Sequence, residues 1–147
     1  LRALGWIPVA VFFNDHVLSL ATVKGRSMQP TLNPDSSHMI QDIVLLNRYA
    51  AVESASGTGQ GGFKVGDIVA LKSPTDPKQL LIKRIIGLPG SIVTTLPPHP
   101  HRSVRIPAGH CWVEGDERYH SRDSNAYGPI PLGLVNARVV GVLWPPR

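Results

Sequence analysis

The stretch "LLIKRIIGLPG", Leu80 to Gly90, sets a lysine and an arginine inside an aliphatic run that closes on a glycine-proline turn signal. Read as a strand it alternates faces, so Leu81, Lys83 and Ile85 share one side while Leu80, Ile82, Arg84 and Ile86 share the other. The same texture recurs along the chain. "DIVLLNRYA" (42–50), "GDIVALKSP" (66–74), "QLLIKRIIG" (79–87), "SIVTTL" (91–96), "SVRIP" (103–107), "GHCWVEGD" (109–116) and "ARVVGVLWP" (137–145) are rich in Val and Ile and bounded by Gly, Pro, Asp or Ser. Many short strands with irregular turns predict a mainly β fold, a sandwich or barrel-like sheet. Beyond the N-terminus no stretch sustains a 3.6-residue period, which predicts little helix. "ESASGTGQGG" (53–62) and "LPPHPHRS" (96–103) read as loops, the first a mobile excursion between strands. Cys111, Trp112 and Trp144 read as packed strand residues.

A chain of 147 residues is one domain with room for little more. A single cysteine forms no internal bridge. His99 and His101 lack a third ligand nearby, so no metal is expected, and no Gly-rich phosphate cradle points to a nucleotide cofactor. The formal charge of +5 raises nucleic acid as a partner, but the basic residues are scattered, Lys83-Arg84 is their one adjacent pair, and no aromatics interleave with them. The surplus reads as solvated surface, compatible with life beside anionic lipid and not with nucleic-acid binding.

Ahead of the strands lies "LRALGWIPVAVFFNDHVLSLATV" (1–23). Ala3 to Phe13 is almost wholly apolar, Asn14-Asp15-His16 interrupts, and Val17 to Val23 resumes. A bilayer normally asks for about 20 unbroken apolar residues, so the run reads either as buried core or as the end of a membrane-anchor helix. The expectation carried forward is a short N-terminal anchor helix over 1–23, truncated upstream, with Trp6 at the interface, followed by a β-rich catalytic domain over 24–147.

An ammonium flanked by Leu81 and Ile85 loses hydration, and desolvation lowers a lysine pKa. A general base needs that property, since at its ordinary pKa of about 10.4 a lysine is neutral in only about one molecule in a few thousand at pH 7. The bland alternative is a lysine that snorkels from an edge strand. The segment "VKGRSMQPTL" (23–32) supplies a reason for the first reading. Gly25 permits close backbone approach, Pro30 pushes Gln29 toward an extended conformation, and Ser27 sits between them where a hydroxyl and backbone N–H groups face a bound carbonyl. A serine needs a neighbouring base to attack, and a neutral lysine is one solution.

The residues carry a family resemblance. "GRSMQPTL" (25–32) resembles the nucleophile box of type I signal peptidases, "GDIVAL" (66–71) their next box, "IKRIIGLPG" (82–90) the box of the general base, and "GDERYHSRDSNAYGPIP" (115–131) the last box. Four boxes in order cover Gly25 to Pro131. The resemblance implies a serine endopeptidase in which Ser27 is the nucleophile, Lys83 the base, Ser121 the serine that orients the lysine amine, and Asp123 a support from the same loop. Two departures stand out. Gly25 occupies the position whose serine hydroxyl serves the oxyanion hole in bacterial members, and Asn125 stands where an arginine often pairs with the aspartate, so support for Asp123 has to come from a hydrogen bond.

The form of the last box and the closing "LWPP" look most like the family's mitochondrial members. That likeness implies removal of N-terminal sorting peptides from precursor proteins, small P1 and P3 residues, Met28 in the P1 pocket and no cofactor. It also implies a heterodimer with a second catalytic subunit, in the mitochondrial inner membrane with the catalytic domain in the intermembrane space. Rival readings are a Ser27-His120-Asp123 triad, a non-catalytic membrane-tethered β partner domain, a bacterial-type signal peptidase, and a Ser-Lys self-cleaving repressor, the last without the upstream helix-turn-helix it needs.

Overall fold

The computed structural model describes residues 4–34, 40–55 and 62–146, with the backbone alone at 14–16. Among the described residues nine strands form: β1 (Leu18–Thr22), β2 (Ile43–Asn47), β3 (Ile68–Lys72), β4 (Leu80–Gly87), β5 (Ile92–Thr94), β6 (Ser103–Arg105), β7 (His110–Glu114), β8 (Ile130–Pro131) and β9 (Val135–Trp144). Among the described residues helix is confined to α1 (Ile7–His16), α2 (Tyr49–Ala55), α3 (Ser124–Tyr127) and short 3-10 turns. The seven strands read from sequence are all present, and β1 and β8 are additional. Residues 53–55 complete α2, and 56–61 of the expected excursion lie outside the described residues.

Seven strands make one antiparallel sheet in the order β1-β2-β9-β3-β4-β7-β8, and β5-β6 form a separate ribbon. Register shifts interrupt the β2-β9, β3-β9 and β4-β7 ladders, and such bulges bend and twist a sheet, so this one curls. Its middle is covered on both faces. Val69 and Leu71 of β3 enter one apolar cluster with Ile85 and Val113, while Ala70 between them enters a second with Val23, Met28, Leu32, Val44 and Leu46. The segment around Ser27 is thus packed onto one face of the sheet by its own aliphatic residues.

The expected N-terminal membrane-anchor helix is overturned. Among the described residues no helix is long and apolar enough to cross a membrane. α1 has 10 residues, a rise of about 15 Å against a hydrocarbon core of about 30 Å. The second apolar run does not extend it, because Leu18–Thr22 pairs antiparallel with Ile43–Asn47 as β1 of the sheet. Trp144 is also corrected, being 56% exposed at the end of β9.

One detail of the ladder positions the site. β4 pairs with β3 from Leu80 to Arg84, but with β7 only from Arg84 onward. The first half of β4, Lys83 included, therefore has an open edge on the β7 side.

Candidate active site

The segment around Ser27 leaves β1 through buried Val23 and turns at Gly25, whose φ of +84° lies in the left-handed region that a glycine adopts without steric cost. Backbone bonds from Gln29 N–H to Arg26 O (3.0 Å) and Leu32 N–H to Met28 O (2.9 Å) tighten it into turns. Asn33 ties its two ends together. Its amide donates to Val23 O (2.8 Å) and Gly25 O (3.2 Å), its Oδ1 accepts from Asp42 N–H (2.7 Å), and its own N–H donates to Asp42 Oδ2 (2.9 Å). Ser27 is half-buried between these anchors, and its carbonyl accepts from Glu117 N–H at 2.9 Å. Among the described residues no partner takes its N–H or its hydroxyl.

Lys83 is 4% exposed, opposite fully buried Val69 across the ladder and between Leu81 and Ile85 on its own face. Its Nζ donates to Ser121 Oγ at 2.9 Å. Burial pushes its pKa below the ordinary lysine value, and the negative charge of Asp123 opposes that only in part. Ser121 in turn donates its proton to Asp123 Oδ2 at 2.7 Å. The order of donors matters chemically. With its hydrogen committed to the carboxylate, Ser121 offers the lysine a lone pair and accepts one amine hydrogen, which leaves the lone pair of a neutral Lys83 free for another proton.

Asp123 is held on every side. It caps α3, accepting from Asn125 N–H (3.1 Å) and Asn125 Nδ2 (3.1 Å), and takes Gly115 N–H at 3.0 Å. Asn125 thus supplies by hydrogen bond what an arginine supplies by charge. Its own position is set by Glu114, which accepts from Nδ2 at 3.0 Å, and by Leu96 N–H, which donates to Oδ1 at 2.7 Å. The loop at 96–103 is therefore part of the scaffold behind the lysine.

Ser27 and Lys83 line one cavity of about 300 Å³, together with Gly25, His120, Arg122 and Tyr127. No hydrogen bond joins Ser27 to Lys83 among the described residues. His120 faces the same cavity, yet the carboxylate it approaches is Glu117, 3.8 Å from its Nδ1, while Asp123 is bonded to Ser121. A Ser-His-Asp chain is not assembled. Met28 is 2% exposed and belongs to the second apolar cluster, and it also lines an adjoining cavity of about 160 Å³ with Ala21, Val23 and Ile82. Cys111 is buried with its thiol pushed up to about 12, which keeps it protonated and inert.

Three residues escaped the sequence reading. Gly115 is where the two halves of the site touch, because a β-carbon there would come within 2.5 Å of Ser27 O and overlap the Ser121 side chain. Arg84, the residue after the lysine, points the other way and grips Asp116 bidentately (Nε to Oδ1 2.8 Å, Nη2 to Oδ2 2.7 Å), with Thr31 Oγ1 donating to the same carboxylate at 2.6 Å. Each of these lies within a recognisable box, so the signal was present. Asn33 had only a turn-like Asn-Pro pair to mark it.

Comparison with known proteins places the sequence in a family. The family model for signal peptidase, peptidase S26, matches residues 2–97 and 94–144. The chain is similar to the mitochondrial inner membrane protease subunit 2 of Mus musculus, 49% identical over 143 residues that cover 96% of this chain and 75% of the relative. It is 42% identical to the subunit 2 of Schizosaccharomyces pombe over 140 residues, 95% of this chain and 72% of the relative. The subunit 1 of the same yeast is 37% identical over 147 residues, covering 95% of this chain and 87% of the relative.

Proposed function

The chain belongs to the signal peptidase family S26, serine endopeptidases with a Ser/Lys dyad, and from that premise we propose that Ser27 is its nucleophile and Lys83 its general base. Ser27 Oγ attacks the scissile carbonyl while Lys83 Nζ takes the hydroxyl proton, and the resulting ammonium returns that proton to the leaving amine. Water then attacks the acyl-enzyme with Lys83 again as base, and Ser27 recovers its hydrogen. Ser121 and Asp123 orient the amine throughout. With Gly25 lacking a hydroxyl, the oxyanion falls to backbone donors, for which the unpartnered Ser27 N–H is suited.

The substrate enters as an added strand on the open edge of β4, which leaves its P1 and P3 side chains toward Met28, Ala21, Val23 and Ile82. These are N-terminal sorting peptides of precursor proteins, with small residues at both positions. Identity of 42–49% to the subunit 2 relatives supports the mitochondrial inner membrane as the place of action, with the catalytic domain on the intermembrane-space side. The likeness to subunit 1 proteins supports a second catalytic subunit as its partner.

The observation that carries this reading is a lysine amine almost wholly withdrawn from water, bonded to Ser121, and facing the same cavity as Ser27. The test is cleavage of a precursor bearing a small-residue site by the wild type, Ser27→Ala and Lys83→Met proteins. Both variants are expected to be inactive with unchanged circular dichroism, and cleavage retained by either one refutes the dyad.

A further inference from the structure

Two cavities meet at Ser27, and they differ in charge. The one beyond β1 and β4 is lined mainly by small and aliphatic groups, with the exposed Lys24 its one charged residue. The one that contains Lys83 carries Arg26, His120 and Arg122 at its wall, and none of its lining residues is a carboxylate. The acids next to its lining residues in sequence are already engaged: Asp123 by Ser121, Gly115 and Asn125, Asp76 by Lys78 N–H, and Glu117, further along, by Tyr119 N–H and the His120 ring. Arg26 spends one N–H on Gln29 Oε1 (3.2 Å), and Arg122 has no hydrogen-bond or ion-pair partner among the described residues. Both guanidinium groups are exposed, so both keep donors for a ligand.

A peptide whose carbonyl lies at Ser27 and whose acyl half occupies the aliphatic cavity has its leaving half in the basic one. We infer that the enzyme prefers an acidic residue on the leaving-group side of the scissile bond, read by Arg26 and Arg122; this rests on Ser27 being the nucleophile. A guanidinium offers a carboxylate a paired set of donors, and two of them with no carboxylate of their own supply an attraction that a neutral side chain forgoes and a lysine reverses.

The experiment uses the full-length enzyme in its native complex, with cleavage that survives Ser27→Ala subtracted. Peptides share one small-residue site and carry Asp, Asn or Lys at the first two leaving-side positions. The Asp peptide is expected to exceed the Asn peptide about fivefold in kcat/KM at low salt, with Lys below both, and the ratio is expected to fall toward one as salt rises from about 20 to about 500 mM. Arg26→Gln with Arg122→Gln is expected to bring the Asp to Asn ratio to about one, while Arg→Lys at both positions keeps part of it. Equal cleavage of Asp and Asn peptides at low salt, or a ratio that the double Gln variant leaves intact, overturns the inference while the nucleophile assignment stands. Cleavage of none of the peptides above the Ser27→Ala background overturns that assignment and the inference together.

Discussion

Lys83 and Arg84 are neighbours on one strand, both cationic in water, and the fold treats them in opposite ways. Arg84 meets a carboxylate in bidentate geometry with Thr31 as a further donor, and its pKa is raised chiefly by the hydrogen bonds to Asp116. Lys83 is drier, meets only a hydroxyl directly, and keeps its carboxylate one bond further away, so burial dominates and its pKa falls. A compensated cation fastens three segments of chain, around Thr31, Arg84 and Asp116. An uncompensated one costs stability and gains reactivity. Since alternation on a strand sends them to opposite faces, the two tasks do not interfere.

The sharpest way to break this contrast is at the lysine. Lys83→Met is expected to lower turnover by about 10⁴-fold or more, yet to leave the melting temperature unchanged or higher, because it removes a charge the native state disfavours. Lys83→Arg is expected to be equally inactive, as a guanidinium does not deprotonate in proteins. Scanning calorimetry beside a cleavage assay checks both, and a strongly destabilised Lys83→Met protein would contradict the cost ascribed to the amine.

Gly115→Ala comes next in size. Its methyl group separates Ser27 from Ser121, so a loss of about a hundredfold in kcat is expected, since misplacement by about 1 Å carries that penalty. Gly115→Ser is expected to be no better. A variant at this position with full activity would mean that the two halves do not need their present contact.

Asp123→Asn sharpens the electrostatic side of the comparison. The activity of a lysine base rises with pH as the ammonium loses its proton, and Asp123 holds the pKa up against the effect of burial. Removing its charge is expected to move the acid limb of the kcat profile to lower pH, while the weakened hold on Ser121 costs about tenfold on the plateau. A shift to higher pH would refute the direction.

The smallest effect on turnover is expected from Arg84→Met, which should instead destabilise the fold by about 1–2 kcal/mol, the pair being only partly buried. The pH dependence follows from Asp116. Its pKa is lowered in the fold, first of all by the Arg84 hydrogen bonds, so the stability it contributes is complete above the unfolded carboxylate value and is lost as pH falls through the lower folded value. Urea midpoints of wild type and variant between pH 7 and pH 3 are therefore expected to converge on the acid side.

Much of this was legible before folding was considered. The alternation around Lys83 left a desolvated and a snorkelling amine both open, and the ordered boxes singled out the serine, the lysine and, in the last box, Ser121 and Asp123; the fold buries the amine. The strands between turn residues appeared where expected. Failures cluster where a segment's partner is remote. Leu18–Thr22 looks like a continuation of an apolar helix until β2, some distance along the chain, pairs with it. Trp144 looks like core until the end of β9 proves to leave it exposed. Arg84 was visible only as a second basic residue, because its carboxylate lies in another box.

Local patterning was enough to determine that this chain is a β protein, and the family boxes, also local, marked Ser27 and Lys83 as the pair to look for. Three things waited on the tertiary structure: where β7 stops and frees the edge of β4, which face of the sheet receives Ser27, and that Gly115 is the point of contact between the two halves. Each depends on pairing between residues far apart in sequence, and such pairings are decided by the burial of whole surfaces together, which no local pattern encodes.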